Sequence, residues 1–68
     1  MPWYFITITR NGQKFYVISP KWNQYELSAT KEKNTYLWTS EETARAEPKI
    51  QALIQDGDEV AYVRSWKG

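Results

Sequence analysis

The sequence predicts a small α+β domain, in which one interrupted helix packs on one face of a mostly antiparallel sheet in the order β-β-β-β-α-β. One observation is a pair of β-branched and aromatic runs joined by Asn11-Gly12 near the N-terminus. Another is an amphipathic run over residues 39–57 that fits a helix. A sheet face and a helix stripe of this kind bury each other. The chain of 68 residues is predicted to be a single domain, residues 1–68, because so short a chain supports one small core.

The first two strands form a hairpin over residues 3–19. Asn-Gly is the strongest short-range hairpin signal, because a type I′ turn needs positive φ at both central residues. A two-residue loop here predicts these opposite pairs on one face: Arg10–Gln13, Ile8–Phe15, Ile6–Val17 and Tyr4–Ser19. On the other face it predicts Thr9–Lys14, Thr7–Tyr16 and Phe5–Ile18. The first face is the predicted core. The second is too apolar at its open end for solvent, so further chain or a partner should cover it.

The middle of the chain predicts two more strands separated by a charged turn. Pro20 should end the second strand, because proline has no N–H to give to a ladder. Residues 25–28 alternate like a short third strand, residues 29–34 are polar, and residues 35–38 fit a fourth strand. A second hairpin that joins strands three and four is the simplest connection.

A helix should follow, with a capping box in which Thr39 is the N-cap and Glu42 reaches back to it. The stripe that would face the sheet is apolar and follows helical spacing: Ala46, Ile50, Leu53 and Ile54. Pro48 interrupts the pattern, and a proline inside a helix costs about 3 kcal/mol or more. The helix is therefore predicted either to kink or to break at Glu47, and in the broken version Pro48 begins a second helix.

Gly57 is predicted to close the helix as its C′ residue, and residues 58–66 to form the last strand. Four residues of this strand share one side: Val60, Tyr62, Arg64 and Trp66. If the strand lies at the edge of the sheet, it can pair with a partner strand or with a second copy of the chain, giving a homodimer.

Composition argues against catalysis and against a metal or cofactor. The chain has no His and no Cys, which removes the commonest general base, the thiol nucleophile and the imidazole and thiolate metal ligands. The acidic run at residues 56–59 lacks the spacing of a calcium-binding EF-hand loop and is interpreted as a solvated connection. The predictions are that the protein is not an enzyme and holds no metal and no cofactor.

Aromatic residues point to binding instead. Four Trp, five Tyr and two Phe are more rings than so small a core can enclose, and Trp, Tyr and Arg are enriched at protein interfaces. Trp38 is a further candidate, although it or Trp66 is expected in the core. The predicted partner-binding residues are Trp22, Tyr62, Arg64 and Trp66.

The alternative hypothesis is a single-stranded nucleic-acid-binding protein that uses the hairpin face. Lysines would contact phosphates and rings would stack on bases, as in other single-strand binders. The residues predicted for this role are Lys14, Tyr16, Lys21 and Trp22. A net charge of +1 gives little long-range attraction for nucleic acid.

Residues 36–44 (YLWTSEETA), after the hairpin ITITRNGQKFYVIS, resemble a class of small uncharacterised proteins encoded by phages and prophages of Gram-positive bacteria. Pro48 departs from the pattern of that class. The resemblance implies an accessory protein that binds and inhibits a host protein, including defence nucleases such as CRISPR effectors, through an aromatic-rich sheet surface. With no apolar run of roughly 20 residues for a membrane span and no signal-peptide pattern, the predicted location is the cytoplasm of the host cell.

Overall fold

A computed structural model describes residues 3–21, 24–30 and 32–65. Its strands are β1 (Trp3–Arg10), β2 (Gln13–Lys21), β3 (Gln24–Ser28) and β4 (Glu59–Ser65). A 3₁₀ turn (Glu32–Asn34) and two helices, α1 (Glu41–Arg45) and α2 (Pro48–Leu53), lie between β3 and β4. The strands form one sheet in the order β3-β2-β1-β4, and each pair of neighbours is antiparallel. The α+β class and the antiparallel sheet are confirmed at this level.

The hairpin turn forms as predicted. Asn11 and Gly12 have φ values of 54° and 79°, the left-handed conformation that a type I′ turn requires. The ladder runs from Arg10↔Gln13 to Thr7↔Tyr16 in the predicted register.

Beyond Thr7 and Tyr16, the predicted hairpin pairs give way to a different segment of the chain. The N–H and C=O of Tyr4 exchange hydrogen bonds of 2.8 Å and 2.8 Å with Trp38. On the β2 side, the Tyr36 N–H donates to the Val17 carbonyl at 3.0 Å, and Thr35 forms a bridge with Ile18. Residues 35–38 are therefore not a fourth strand paired with β3, but a segment that bonds to β1 and β2 where those strands part.

Pro20 lies within β2 rather than ending it. The pairing of β2 with β3 shifts register between Ile18 and Lys21, and such an irregularity leaves a residue that need not donate to the ladder. The strand therefore continues through the proline as far as Lys21.

The helical run is broken, as one of the two predicted versions has it. Pro48 is the first residue of α2, and the Glu47 side chain caps this helix by accepting from the Lys49 N–H at 3.1 Å. The cap of α1 lies one residue later than predicted. Ser40, not Thr39, is the N-cap, and its reciprocal partner is Thr43 instead of Glu42.

The break at Pro48 also changes the buried stripe. Ala44 and Ile50 are buried, whereas Ala46 is exposed, because residues before the break no longer share the helical phase of those after it. Gly57 is not the C′ residue, since α2 ends at Leu53. Its φ of 93° serves a later turn that is closed by a hydrogen bond of 3.1 Å from the Asp58 N–H to the Gln55 carbonyl.

The core lies between the helices and the predicted core face of the sheet. Its buried side chains are Ile6, Ile8, Val17, Trp38, Ala44 and Ile50. The prediction that Trp38 or Trp66 belongs to the core is confirmed by Trp38. The other side of the sheet is called the outer face below. The register places on it Trp3, Phe5, Thr7, Thr9, Lys14, Tyr16, Ile18, Glu26, Ser28, Glu59, Ala61, Val63 and Ser65.

Candidate protein-binding surface

The outer face carries aromatic rings that are only partly covered. Thr7 and Ile18 are 3% and 4% exposed, whereas Phe5, Tyr16 and Val63 are half-buried. The Phe5 and Tyr16 rings lie 6.4 Å apart between centroids. This face therefore carries aromatic rings that are only partly shielded from water.

Its apolar character follows from the alternation of side chains along β1. Trp3, Phe5 and Thr7 point to the outer face, while Ile6 and Ile8 point to the core. The helices leave the outer face uncovered, because their buried residues Ala44 and Ile50 pack with Ile6, Ile8 and Val17. Within the described part of the chain, the helices therefore lie on one side of β1 only.

Charge on the outer face is sparse and of both signs. The charged side chains that the structure describes there are Lys14, Glu26 and Glu59. The Lys14 Nζ lies 5.5 Å from the centroid of the Tyr16 ring, a cation–π geometry. Two carboxylates beside one ammonium give this face no marked attraction for phosphate.

Of the predicted partner-binding residues, the two that the structure describes do not lie on the outer face. Tyr62 and Arg64 lie on β4 on the same side of the sheet as the helices. Tyr62 is half-buried and packs against the core, with the Arg45 guanidinium carbon 4.3 Å from its ring centroid. Arg64 is exposed. Trp22 and Trp66 lie outside the described residues.

Two of the residues predicted for nucleic acid are neighbours. Lys14 and Tyr16 share the outer face and contact each other. Lys21 is the last residue of β2, and Trp22 lies outside the described residues.

A second group of rings, absent from the predicted sites, lies on the helix side of the sheet. The Tyr36 and Trp38 centroids are 4.5 Å apart, and Tyr25 lies 5.4 Å from Tyr36 and 5.7 Å from Trp38. Tyr36 is 39% exposed. Burial raises the pKa of Tyr25, and the negative charge of Glu47 adds to the shift. The aromatic-x-aromatic pattern at residues 36–38 indicates that two rings lie on the same side of the chain. That Tyr25 of β3 packs against them depends on where residues 35–38 insert into the sheet, which the pattern does not show.

Strand β4 forms one edge of the sheet. This is the position from which the last strand is predicted to pair with a partner strand or with a second copy of the chain. Its ladder with β1 runs without a register shift from Trp3↔Ser65 to Thr9↔Glu59. The backbone groups of Tyr4 bond to Trp38, so alternation directs those of Phe5 and Thr7 to β4. The same alternation turns the backbone N–H and C=O groups of Val60, Tyr62 and Arg64 away from β1. No strand in the described part of the chain pairs with this outer side of β4.

The acidic run at residues 56–59 contains one structural ion pair. The Asp58 carboxylate accepts from Arg10 Nη2 at 2.9 Å and Nε at 3.1 Å, and also from the Gln55 N–H at 2.9 Å. Arg10 Nη2 further donates to the Leu53 carbonyl at 3.0 Å. The hydrogen bond from Arg10 lowers the pKa of Asp58, and the backbone of Gln55 lowers it further. These bonds connect β1 to the end of α2.

Comparison of the chain with known protein families, with curated proteins and with solved structures found no match in any of the three. Among the described residues, no helix has both the length and the apolar character needed to cross a lipid bilayer.

Proposed function

We propose that this chain is a non-catalytic binding protein whose outer face docks on another protein. The observation that carries the proposal is the set of half-buried rings on a sheet face that neither helix covers: Trp3, Phe5 and Tyr16. Partly exposed aromatic residues surrounded by smaller apolar groups are typical of the centre of a protein interface. Phage accessory proteins, which the sequence resembles, suggest that the partner is a host protein and that docking inhibits it.

The chemistry of the face supports a protein partner more than a nucleic acid. Its centre consists of Phe5, Thr7, Tyr16 and Val63, which carry apolar groups and two hydroxyls but no cation. Glu26 and Glu59 at its borders would repel phosphates, whereas a protein surface can supply Lys or Arg to meet them.

One observation favours the alternative, binding of single-stranded nucleic acid: Lys14 lies beside the Tyr16 ring, which is next to Phe5. A base stacked on Tyr16 would bring its phosphate near Lys14. Such binding would weaken steeply with salt, because phosphate contacts release counterions. We expect no binding of a single-stranded oligonucleotide at about 50 mM salt, measured by fluorescence anisotropy. Salt-sensitive binding that is lost in Lys14→Ala would favour the alternative.

The test of the docking face is site-specific photo-crosslinking in the cell that produces the protein. A benzophenone amino acid in place of Tyr16 should crosslink to one partner protein, whereas the same amino acid in place of Tyr36 should not. Both positions carry a tyrosine, but they lie on opposite sides of the sheet, so the pair separates docking from general stickiness.

The crosslinked partner is then used with a second pair of variants. Phe5→Thr should weaken binding of the purified partner by about tenfold or more, as expected for an interface aromatic. Thr suits a β-strand, and circular dichroism would verify that the fold persists. Tyr36→Thr is the matched control and should leave affinity unchanged. Equal loss in both variants, or a crosslink only from position 36, would refute docking through the outer face.

A further inference from the structure

We propose that two copies of this chain pair through the outer side of β4, in an antiparallel arrangement about a two-fold axis at Tyr62. The sheet of each copy then continues into that of the other. This inference concerns the edge of the sheet and does not depend on what docks on the outer face.

The first support is that β4 lacks most of the usual features that protect an edge strand. It spans Glu59–Ser65, contains no proline and pairs with β1 without a bulge. Natural edges are commonly blunted by proline, a bulge, charged side chains or short length, and of these β4 has only the charged side chains Glu59 and Arg64. The opposite edge, β3, has only Gln24–Ser28 and follows a register irregularity in its neighbour. The edge suited to pairing is therefore β4.

The second support is that the backbone groups are already in phase. The outward N–H and C=O groups belong to Val60, Tyr62 and Arg64. An axis at Tyr62 places Tyr62 opposite its own copy and Val60 opposite Arg64 of the second copy. Each of these pairs exchanges both of its hydrogen bonds in an antiparallel ladder. In this arrangement, β4 of each copy satisfies the outward donors and acceptors of β4 in the other copy.

The third support is the distribution of charge, which is compatible with this register. With the axis at Tyr62, Arg64 lies opposite the apolar Val60 of the second copy and meets no like charge there. An axis at Arg64 would instead oppose two guanidinium groups, which is unfavourable. Glu59 lies opposite Ser65 of the second copy, so no like charges meet in the Tyr62 register.

The fourth support is that pairing joins the two outer faces. Ala61 lies opposite Val63 of the second copy, and these are close, non-hydrogen-bonded pairs. On β1 their neighbours are Thr7 and Phe5. The apolar residues on the outer face of one copy therefore continue across the axis into those of the other copy. Ala61, which is exposed, gains an apolar neighbour.

The test compares Arg64→Pro with Arg64→Thr by sedimentation equilibrium, at protein concentrations from about 1 μM to about 1 mM. Proline removes an outward N–H that β1 does not use, so the monomer keeps its ladder while two hydrogen bonds of the dimer are lost. We expect association to weaken by about tenfold or more in Arg64→Pro. Arg64→Thr keeps the N–H and should change association by about threefold or less, because all of the backbone hydrogen bonds across the axis are retained.

Amide hydrogen exchange gives a second readout that needs no variant. In the unmodified protein, the N–H groups of Val60, Tyr62 and Arg64 should become protected as the concentration rises, while those of Ala61 and Val63 should be protected throughout. A protein that stays monomeric over this range, or a dimer whose exchange at Tyr62 and Arg64 does not depend on concentration, would overturn the proposal. Equal association of the two Arg64 variants, both folded, would also overturn it.

Discussion

At the scale of single residues, the hairpin depends on two positions with left-handed backbone. Asn11 has a φ of 54° and Gly12 a φ of 79°. A Cβ built on Gly12 meets nothing within 4 Å. Glycine is therefore required at position 12 because of its positive φ, and not because a neighbouring atom leaves no room for a Cβ. These two explanations can be tested.

Gly12→Ala should lower the free energy of unfolding by about 1–2 kcal/mol, because L-alanine is strained at positive φ. A synthetic chain with D-alanine at position 12 is the control. D-Alanine favours positive φ, so this variant should be at least as stable as the original protein. Urea unfolding measures both. If both enantiomers destabilise the protein equally, crowding and not backbone strain explains the glycine.

At the scale of elements, the start of α1 shows how two overlapping motifs compete. Thr39 with Glu42 and Ser40 with Thr43 both fit the spacing of a capping box. In the structure the Thr43 N–H donates to Ser40 Oγ at 3.1 Å, and the Ser40 N–H donates to Thr43 Oγ1 at 3.3 Å. The backbone of Trp38 is hydrogen-bonded to that of Tyr4. This holds the chain just before α1 against the sheet and favours the start of the helix after Ser40 rather than after Thr39.

Ser40→Ala should therefore destabilise the protein by about 1 kcal/mol, the usual cost of losing an N-cap. Thr39→Ala, one residue earlier and exposed, should change stability by about 0.5 kcal/mol or less. Thermal unfolding of the two variants under identical conditions makes the comparison. A larger loss in Thr39→Ala would mean that the helix begins where the sequence first suggested.

Local signals predicted most of the elements, and the errors arose where distant segments meet. The turn at Asn11-Gly12, the last strand and the break at Pro48 each depend on a few adjacent residues, and all three are found. The position of residues 35–38 depends on competition with β2 for the backbone groups of β1, which no local pattern reveals. The apolar second face was also recognisable from alternation, but which side of β4 the helices cover was not.

At the scale of the whole molecule, one ion pair connects three elements. Arg10 is the last residue of β1, and its guanidinium holds both Asp58, which precedes β4, and the carbonyl of Leu53 at the end of α2. The Asp58 side chain is only 3% exposed. Losing the charge of Asp58 should therefore loosen the connection between the sheet and its helical layer.

Stability should fall in acid partly because of this pair. The pKa of Asp58 is lower in the folded chain than in the unfolded one, so its contribution is fully present above the unfolded pKa. It is lost as the pH falls below about 4 toward the folded pKa. In Asp58→Asn, the urea midpoint should be lower at neutral pH and should fall less between pH 7 and pH 3. Asp56→Asn, at an exposed neighbour, is the control and should follow the original protein. Parallel pH profiles for the original protein and Asp58→Asn would contradict this role.

The insertion of residues 35–38 between β1 and β2 has a consequence for how the chain reaches its native state. A hairpin forms on a microsecond timescale, and nothing in its own sequence stops it from zipping to the end in the register that places Ile6 opposite Val17. The native state requires that end to stay open until Trp38 arrives from a distant part of the chain. A hairpin that zipped fully before Trp38 arrived would therefore have to open its last pairs before Trp38 could bond to Tyr4.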